Sequence, residues 1–360
     1  MFFAYFTWNP LRELFRIPYL GLPIFWYSLL FAAGFFLGYL VFLRILKKFF
    51  LTFPGFSFSE IKDWPRLLRL LQTPASKEQK KYALKKTFCP KQKPDLNDEA
   101  AVLEHLNGYL KEQNKERQRL EKAFGGCFYT LSEKASFVAD KVAFYMILAT
   151  IIGARLGHIL FYDRALFYFR HPLEIFKIWQ GGLASHGAAG AILIALLLLS
   201  FKLKNFKPRL GFIQLLDLVA APTALAAVFI RLGNFFNQEI LGTITEKPWG
   251  VLFLNPFDGS APAVRHPVQI YEALFYLLVF LFLIYLALHC SRYVFAKPGR
   301  LIGLLLVLVF SFRFWIEFFK VNESVFTNGG GLLMGQYLSL PFILLGLVCF
   351  FYPSQEKNFT

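Results

Sequence analysis

"VQIYEALFYLLVFLFLIYLAL", residues 268–288, contains a single charged side chain, Glu272, in a run of membrane-crossing length. A hydrocarbon core of about 30 Å takes roughly 20 apolar residues of helix, so the stretch is predicted to span a bilayer. Its apolar residues are continuous rather than alternating, which argues for a helix and against a barrel strand. Working outward, the same criterion predicts seven spans, at 24–45, 138–161, 183–201, 212–231, 268–288, 301–319 and 334–352. Pro222 falls inside the fourth, where neighbouring helices can satisfy the freed carbonyl. Composition agrees, with 56% hydrophobic, 19% aromatic and only 17% charged residues. A soluble domain carries about 25% charged residues. The expected fold class is therefore an all-α polytopic membrane protein with seven transmembrane helices and no strands.

The net charge is +16. In a soluble chain that would raise nucleic acid as a partner; here charge placement accounts for it, and no nucleic acid is expected. Alternate connections collect most of the 39 basic residues: Arg44, Lys47 and Lys48, then 60–134, 202–209, 292–300 and Lys357. The positive-inside rule puts these in the cytoplasm, with the N-terminus outside and the C-terminus inside. The opening "MFFAYFTWNPLRELFRIPYLGLP" (1–23) lacks the basic start and small-residue cleavage site of a signal peptide.

This divides the chain into an outer N-terminal segment with the first span (1–51), a basic cytoplasmic insertion (52–135), the six remaining spans (136–353) and a short tail (354–360). Within the insertion, "WPRLLRLLQ" (64–72) is a candidate helix for the anionic inner leaflet. A helix is expected over 96–124, from Leu at 96, 103, 106, 110 and 120, with Asn97 as its cap. Nothing in the insertion has the pattern of a catalytic constellation. Cys89, Cys127, Cys290 and Cys349 have no metal-ligand spacing and read as incidental thiols, so neither a metal nor another cofactor is expected.

On the seven-span map, the polar groups inside or beside the spans fall at one membrane face. They are Tyr27, Arg155, His158, His186 in "GGLASHG" (181–187), Arg231, "RHPVQIYE" (265–272), Arg313 with Glu317, and "MGQYLS" (334–339). Independent snorkelling residues would be shared between both interfaces. One polar cavity near the outer leaflet is the expectation. Its acids (Glu239, Glu272, Glu317) do not obviously neutralise Arg155, Arg231 and Arg313, which leaves an anionic ligand, most simply a phosphate held by guanidinium groups.

Taken singly, each residue has a second reading. Arg155 and Arg231 could be structural ties to Glu239 and Glu272. His186 could be an ordinary helix-end histidine, although Gly181, Gly182, Gly187 and Gly190 clear space around it. The glycine pair could be a turn before the span, and His266-Pro267 a helix start. Asp217, nearer the inner half, reads as a structural partner.

"RLGNFFNQEILG" (231–242) closely resembles the signature of bacterial prolipoprotein diacylglyceryl transferases. "GGLASHG", "RHPVQIYE", "FRFWIEFF" and "GQYLSLP" resemble further blocks of that family, in the family's order, over most of 20–50 and 138–352. The resemblance implies seven spans in the bacterial inner (cytoplasmic) membrane and an active site facing the periplasm or exterior. It also implies transfer of diacylglycerol from phosphatidylglycerol to a prolipoprotein lipobox cysteine, with glycerol phosphate released, by a protein expected to be a monomer.

Carried over by motif, Arg231, Asn234, Glu239 and Gly242 fall on lipid-binding or orienting positions. His186 falls on the family's catalytic or positioning histidine, Arg313 on its second essential arginine with Glu317 one turn on, and Tyr27 on the first-span tyrosine. The catalytic set is thus His186, Arg231 and Arg313. Asn237, Arg155, His266, Gln269 and Glu272 join the expected phosphatidylglycerol-binding set. Four departures bear on substrate preference more than on the reaction: Ile230 where the signature has Gly, Gly187-Ala188 for a glycine pair, Val309 for a tyrosine, and a 52–135 insertion far longer than the usual connection. Two rival classes are an organic-anion transporter, which the absence of an internal repeat disfavours, and a non-catalytic lipid-binding protein.

Overall fold

A computed structural model describes residues 5–19, 21–56, 60–82, 99–110, 116–162, 165–177, 182, 184–204, 206, 208–321 and 332–352. Strands β1 (Phe6–Trp8), β2 (Glu13–Arg16) and β3 (Pro23–Phe25) precede helix α1 (Trp26–Thr52). The insertion supplies α2 (Trp64–Gln72), α3 (Lys77–Tyr82), α4 (Glu99–Leu110) and α5 (Glu116–Ala123). Next come α6 (Leu131–Phe161), α7 (Ala165–Arg170), α8 (Ser185–Lys202) and α9 (Phe212–Asn237). The chain continues through β4 (Val251–Phe253), β5 (Ala263–Arg265), α10 (Val268–His289), α11 (Ser291–Phe295), α12 (Arg300–Ile316) and α13 (Met334–Phe351).

Among the described residues seven helices are long and apolar enough to cross a membrane: α1, α6, α8, α9, α10, α12 with its 3-10 extension to Phe319, and α13. They are the seven spans expected from sequence, with shifted ends. The helix α6 begins seven residues before the apolar run, because Thr130 and Glu133 form a reciprocal capping box. Such a cap contributes about 1 kcal/mol. The helix α9 runs on to Asn237, so Arg231, Asn234 and Asn237 lie on its last turns. One expectation is corrected: among the described residues five strands of three or four residues exist outside the spans. They are too short to show the alternation that announces a strand in sequence.

The chain divides into two compact units, one of 1–45 and 216–355, the other of 46–215 and 356–360. In the first, β1 pairs in parallel with β4, and β4 pairs antiparallel with β5. A separate hairpin joins β2 to β3, turning through Gly21 at φ +62°. The helices α12 and α13 approach closely at Gly303 and Gly346, where a Cβ on either would collide with the other's carbonyl oxygen. Phe275 of α10 stacks on Phe312 of α12 at 4.0 Å. Asp217 is the structural partner its position suggested: its carboxylate accepts from Gly299 N and Ile302 N, both at 2.8 Å, and so caps α12.

In the second unit, Gly153 and Gly157 of α6 lie against Gly187 of α8 so tightly that a side chain at any of the three would overlap the opposite backbone. The insertion has its own core, built on Phe56, Leu67, Leu71, Leu106, Leu120 and Phe124. The apolar face of α2 is therefore occupied by this core rather than left for a membrane surface. The single helix expected over 96–124 is two, α4 and α5, while Leu96 and the Asn97 cap lie outside the described residues. Beneath the core runs a buried ion network. Arg117 meets Glu60 at 2.8 Å and Glu121 at 2.9 Å, and Lys134 meets Glu60 at 2.7 Å. Buried charges persist only when paired in this way. Cys127 is buried in the same core, and Cys127, Cys290 and Cys349 are free thiols; Cys89 lies outside the described residues.

Candidate functional site

The last turns of α9 and the loop after it bring together most of the polar residues singled out in the first unit. Arg231 Nε lies 3.1 Å from Glu272 Oε2, and its Nη1 donates to Asn234 Oδ1 at 3.3 Å. Asn234 in turn donates to Glu239 Oε1 at 2.6 Å, and Asn237 donates to the same oxygen at 3.4 Å. Gln269 of α10 donates to the Glu239 carbonyl at 2.7 Å. The sequence offered Glu239 and Glu272 together as structural ties for Arg155 and Arg231. The geometry separates them: Glu272 takes the ion pair, while Glu239 reaches Arg231 only through Asn234.

Glu239 is presented by an unusual piece of backbone. Its neighbours Gln238 and Ile240 both have positive φ, at 53° and 56°. For a β-branched residue such as Ile240 that conformation costs about 1–2 kcal/mol. Strain of this kind persists where surrounding contacts over-determine it. Here the contacts are two flanking segments. Thr243 N donates to the Phe319 carbonyl and Val321 N to that of Leu241, while His266 N donates to Thr243. Gly242 has no room for a side chain in this sandwich, since a Cβ would strike the His266 carbonyl. Arg265 donates to the Gly242 carbonyl at 3.3 Å, and His266 Nδ1 lies 3.2 Å from the Tyr271 hydroxyl.

The pairing of 241–243 with 319–321 delivers a cation that motif reading missed. Lys320 Nζ lies 3.0 Å from Glu272 Oε1 and 3.7 Å from Glu317 Oε2. Burial pushes its ammonium below the usual value, Glu272 opposes this, and the charges of Arg231 and Arg313 add to the downward push. Its position one turn beyond Glu317 was the available signal, but a lysine after a span reads equally as a membrane-edge anchor. Tyr276 was also missed; its hydroxyl reaches Glu272 Oε1 at 3.5 Å, one turn along α10.

Arg313 differs from these. It is half-buried on α12, feels the same cluster electrostatically, and among the described residues forms no hydrogen bond or ion pair. Glu317 sits against Gly335 of α13, where any Cβ would overlap its carboxylate, and one of its oxygens is buried without a hydrogen bond. Tyr27 lies across Gly233, whose missing side chain makes room for the ring.

Arg155 and His186 belong to the second unit. Arg155 is buried and donates to three carbonyls, Ile175 at 3.0 Å, Gly182 at 3.3 Å and Glu174 at 2.7 Å. It therefore ties residues 174–175 and 182 to α6. Gly182, at φ +71°, packs over Arg155 and His158, while Gly181 lies outside the described residues. His186 is exposed, with ring centroids 5.3 Å from Phe161 and 5.5 Å from Tyr162. Of the glycines expected to clear space near it, Gly187 admits α6, and Gly190 faces nothing within 4 Å.

The profile of the family described as prolipoprotein diacylglyceryl transferase matches residues 122–352. The phosphatidylglycerol--prolipoprotein diacylglyceryl transferase of Protochlamydia amoebophila is 43% identical over 357 residues, covering 96% of this chain and 94% of that protein. The enzyme of the same name from Tolumonas auensis is 42% identical over 218 residues, 61% of this chain and 80% of that protein. The Chlamydia trachomatis serovar D enzyme of that name is 41% identical over 225 residues, 61% of this chain and 78% of its own.

Proposed function

Because the chain belongs to the prolipoprotein diacylglyceryl transferase family, we propose that it transfers the diacylglyceryl group of phosphatidylglycerol to the lipobox cysteine of a prolipoprotein. It is a transferase of lipoprotein biosynthesis and a multi-pass membrane protein. The carrying observation is the contrast between Arg231, fixed by Glu272, and Arg313, whose guanidinium holds no protein partner among the described residues.

In the proposed reaction the cysteine thiolate attacks C3 of the lipid glycerol. A C–S bond forms, the C3–O bond to phosphate breaks, and the electron pair leaves on glycerol phosphate. The phosphodiester gains a negative charge as that bond breaks, and donors aimed at developing charge lower the barrier most. Arg231 and Arg313 take that part. Glu272 sets the direction of Arg231, and Lys320, on the other carboxylate oxygen, holds Glu272 in place. Asn234, Asn237 and Glu239 form a hydrogen-bonded row suited to the headgroup hydroxyls, and Tyr27, His266, Gln269, Glu317 and Gly242 complete the lipid-binding wall. The thiol, ordinarily near pKa 8.5, must lose its proton to react. The family resemblance assigns His186 either this proton or the orientation of the headgroup, and Arg155 ties residues 174–175 and 182 to α6. No step calls for a metal or cofactor.

The distribution of basic residues supports an N-terminus outside, a C-terminus in the cytoplasm, and a site opening to the outer leaflet of the bacterial inner membrane. Purified protein given phosphatidylglycerol and a lipobox peptide is expected to yield thioether-linked peptide and glycerol phosphate in equal amounts. Well-folded protein that forms neither product would rule the reading out.

A further inference from the structure

A cleft of about 810 Å³ opens between the β2–β3 hairpin and the segment after β4, lined among others by Asn9, Leu11, Arg12, Glu13, Phe15 and Asn255. We propose that it binds the polypeptide of the second substrate, the extended stretch that follows the cysteine to be modified. The proposal rests on the transferase reading above and adds to it a peptide subsite in the first unit.

Three features point to a peptide. The first is the cleft's mixed chemistry. Leu11 is 82% and Phe15 54% exposed, yet they share the cleft with a guanidinium, a carboxylate and two amide side chains. These groups hydrogen-bond among themselves or to Arg16 and give the cleft a polar floor, which suits the amide backbone of an extended chain better than an acyl chain, while the peptide's side chains cover the apolar residues. The second is the sheet beside it. Among the described residues β1 pairs only with β4, so Phe6–Trp8 offers a second edge to which an extended chain can add.

The third feature is the connection to the reacting centre. Arg12 donates to the Asn255 carbonyl at 2.7 Å, and the Asn255 side chain donates to Asn9, which closes the cleft floor. Asn255 N then donates to Gln238 Oε1 at 2.9 Å, and Phe257 N donates to the Gln238 carbonyl at 2.9 Å. Gln238 immediately precedes Glu239 and has positive φ. Its Nε2 is buried without a hydrogen-bond partner. The wall of the cleft is thus bonded directly to the strained loop that carries Glu239. A peptide seated there is registered against the site that must receive its sulfur.

The test uses the full-length protein in phosphatidylglycerol vesicles and two lipobox peptides, one ending about two residues after the cysteine and one extended by about eight. Burial of one or two apolar side chains predicts a KM about tenfold lower for the extended peptide. The double variant Leu11→Ser, Phe15→Ser should collapse that ratio towards one, while its thermal transition reports that it folds. Equal KM values for both peptides with the unaltered protein would overturn the proposal. So would a rise in the KM for phosphatidylglycerol with both peptides in the variant, which would make the occupant a lipid. A photoreactive residue about four positions after the cysteine should crosslink within 9–25 or 255–256. Crosslinking needs no turnover, so its absence there counts against the cleft even if the transferase reading fails, and its presence supports the cleft alone.

Discussion

Arg231 Nε and Glu272 Oε2 form an ion pair at 3.1 Å in which the carboxylate side chain is wholly buried. Glu272 also receives Lys320 on its other oxygen, so one carboxylate balances two cations. Removing its charge leaves Arg231 without an ion-pair partner and Lys320 with only the longer contact to Glu317, a loss of about 3–5 kcal/mol for a buried pair. Glu272→Gln should therefore fall below about 1% of normal turnover and melt at lower temperature. Glu272→Asp, which keeps the charge, should recover part of both. A Gln variant with unaltered turnover would remove Glu272 from the positioning of Arg231.

Ile240 allows the loop strain to be measured. Glycine accepts φ +56° freely, so the strain relieved in Ile240→Gly should offset the backbone entropy and apolar burial it loses and leave stability close to unchanged. Activity should fall several-fold, because the strained turn is what holds Glu239 towards Asn234. Thermal unfolding and steady-state rates measured together check the trade. A variant that melts earlier while retaining full activity would contradict it.

Gly187 lies where α6 and α8 touch through their backbones. A valine there must push apart Gly153 and Gly157, and overpacking of this kind costs about 1–3 kcal/mol. Gly187→Val should lower the thermal transition in detergent, whereas Gly190→Ala, where a Cβ meets nothing within 4 Å, should leave it unchanged.

The insertion should respond to acid through Glu116. Burial alone would push its carboxyl up, but hydrogen bonds from Tyr82, Lys81 and Arg119 hold it at about 2. A carboxylate with a depressed folded pKa stabilises fully above its unfolded value, near 4.3, and loses that contribution as pH falls towards 2. Pepsin cleavage within 99–123 should therefore accelerate as pH drops from about 4.5 to about 2.5. In Glu116→Gln cleavage should be fast throughout, with little pH dependence from this source. An unchanged profile in that variant would show that the cluster does not hold the insertion together.

Much of this was legible in the sequence because membrane spans are written in composition and length, and all seven emerged where long apolar runs stand. The short strands did not, since three residues cannot display a period. The insertion's helices were half visible. Leucine spacing marked α4 and α5, but the core that consumes the face of α2 depends on residues from Phe56 to Phe128 meeting in space. At the site, "RLGNFFNQEILG" announced its polar residues without saying which acid would hold Arg231. That choice is made by α10, which places Glu272 beside it. Lys320 was hidden because its approach is set by backbone pairing between 241–243 and 319–321, which leaves no side-chain pattern.

The central claim is that Arg313 stabilises the phosphate leaving group during diacylglyceryl transfer. The most direct test compares the unaltered protein with Arg313→Ala and Arg313→Lys in phosphatidylglycerol nanodiscs. Thioether peptide and glycerol phosphate are counted in the same reaction. Loss of one donor at developing charge predicts about a hundredfold or greater fall in kcat for the alanine variant, with partial recovery in the lysine variant and the two products still equal. An alanine variant that folds normally and turns over at the unaltered rate would contradict the account.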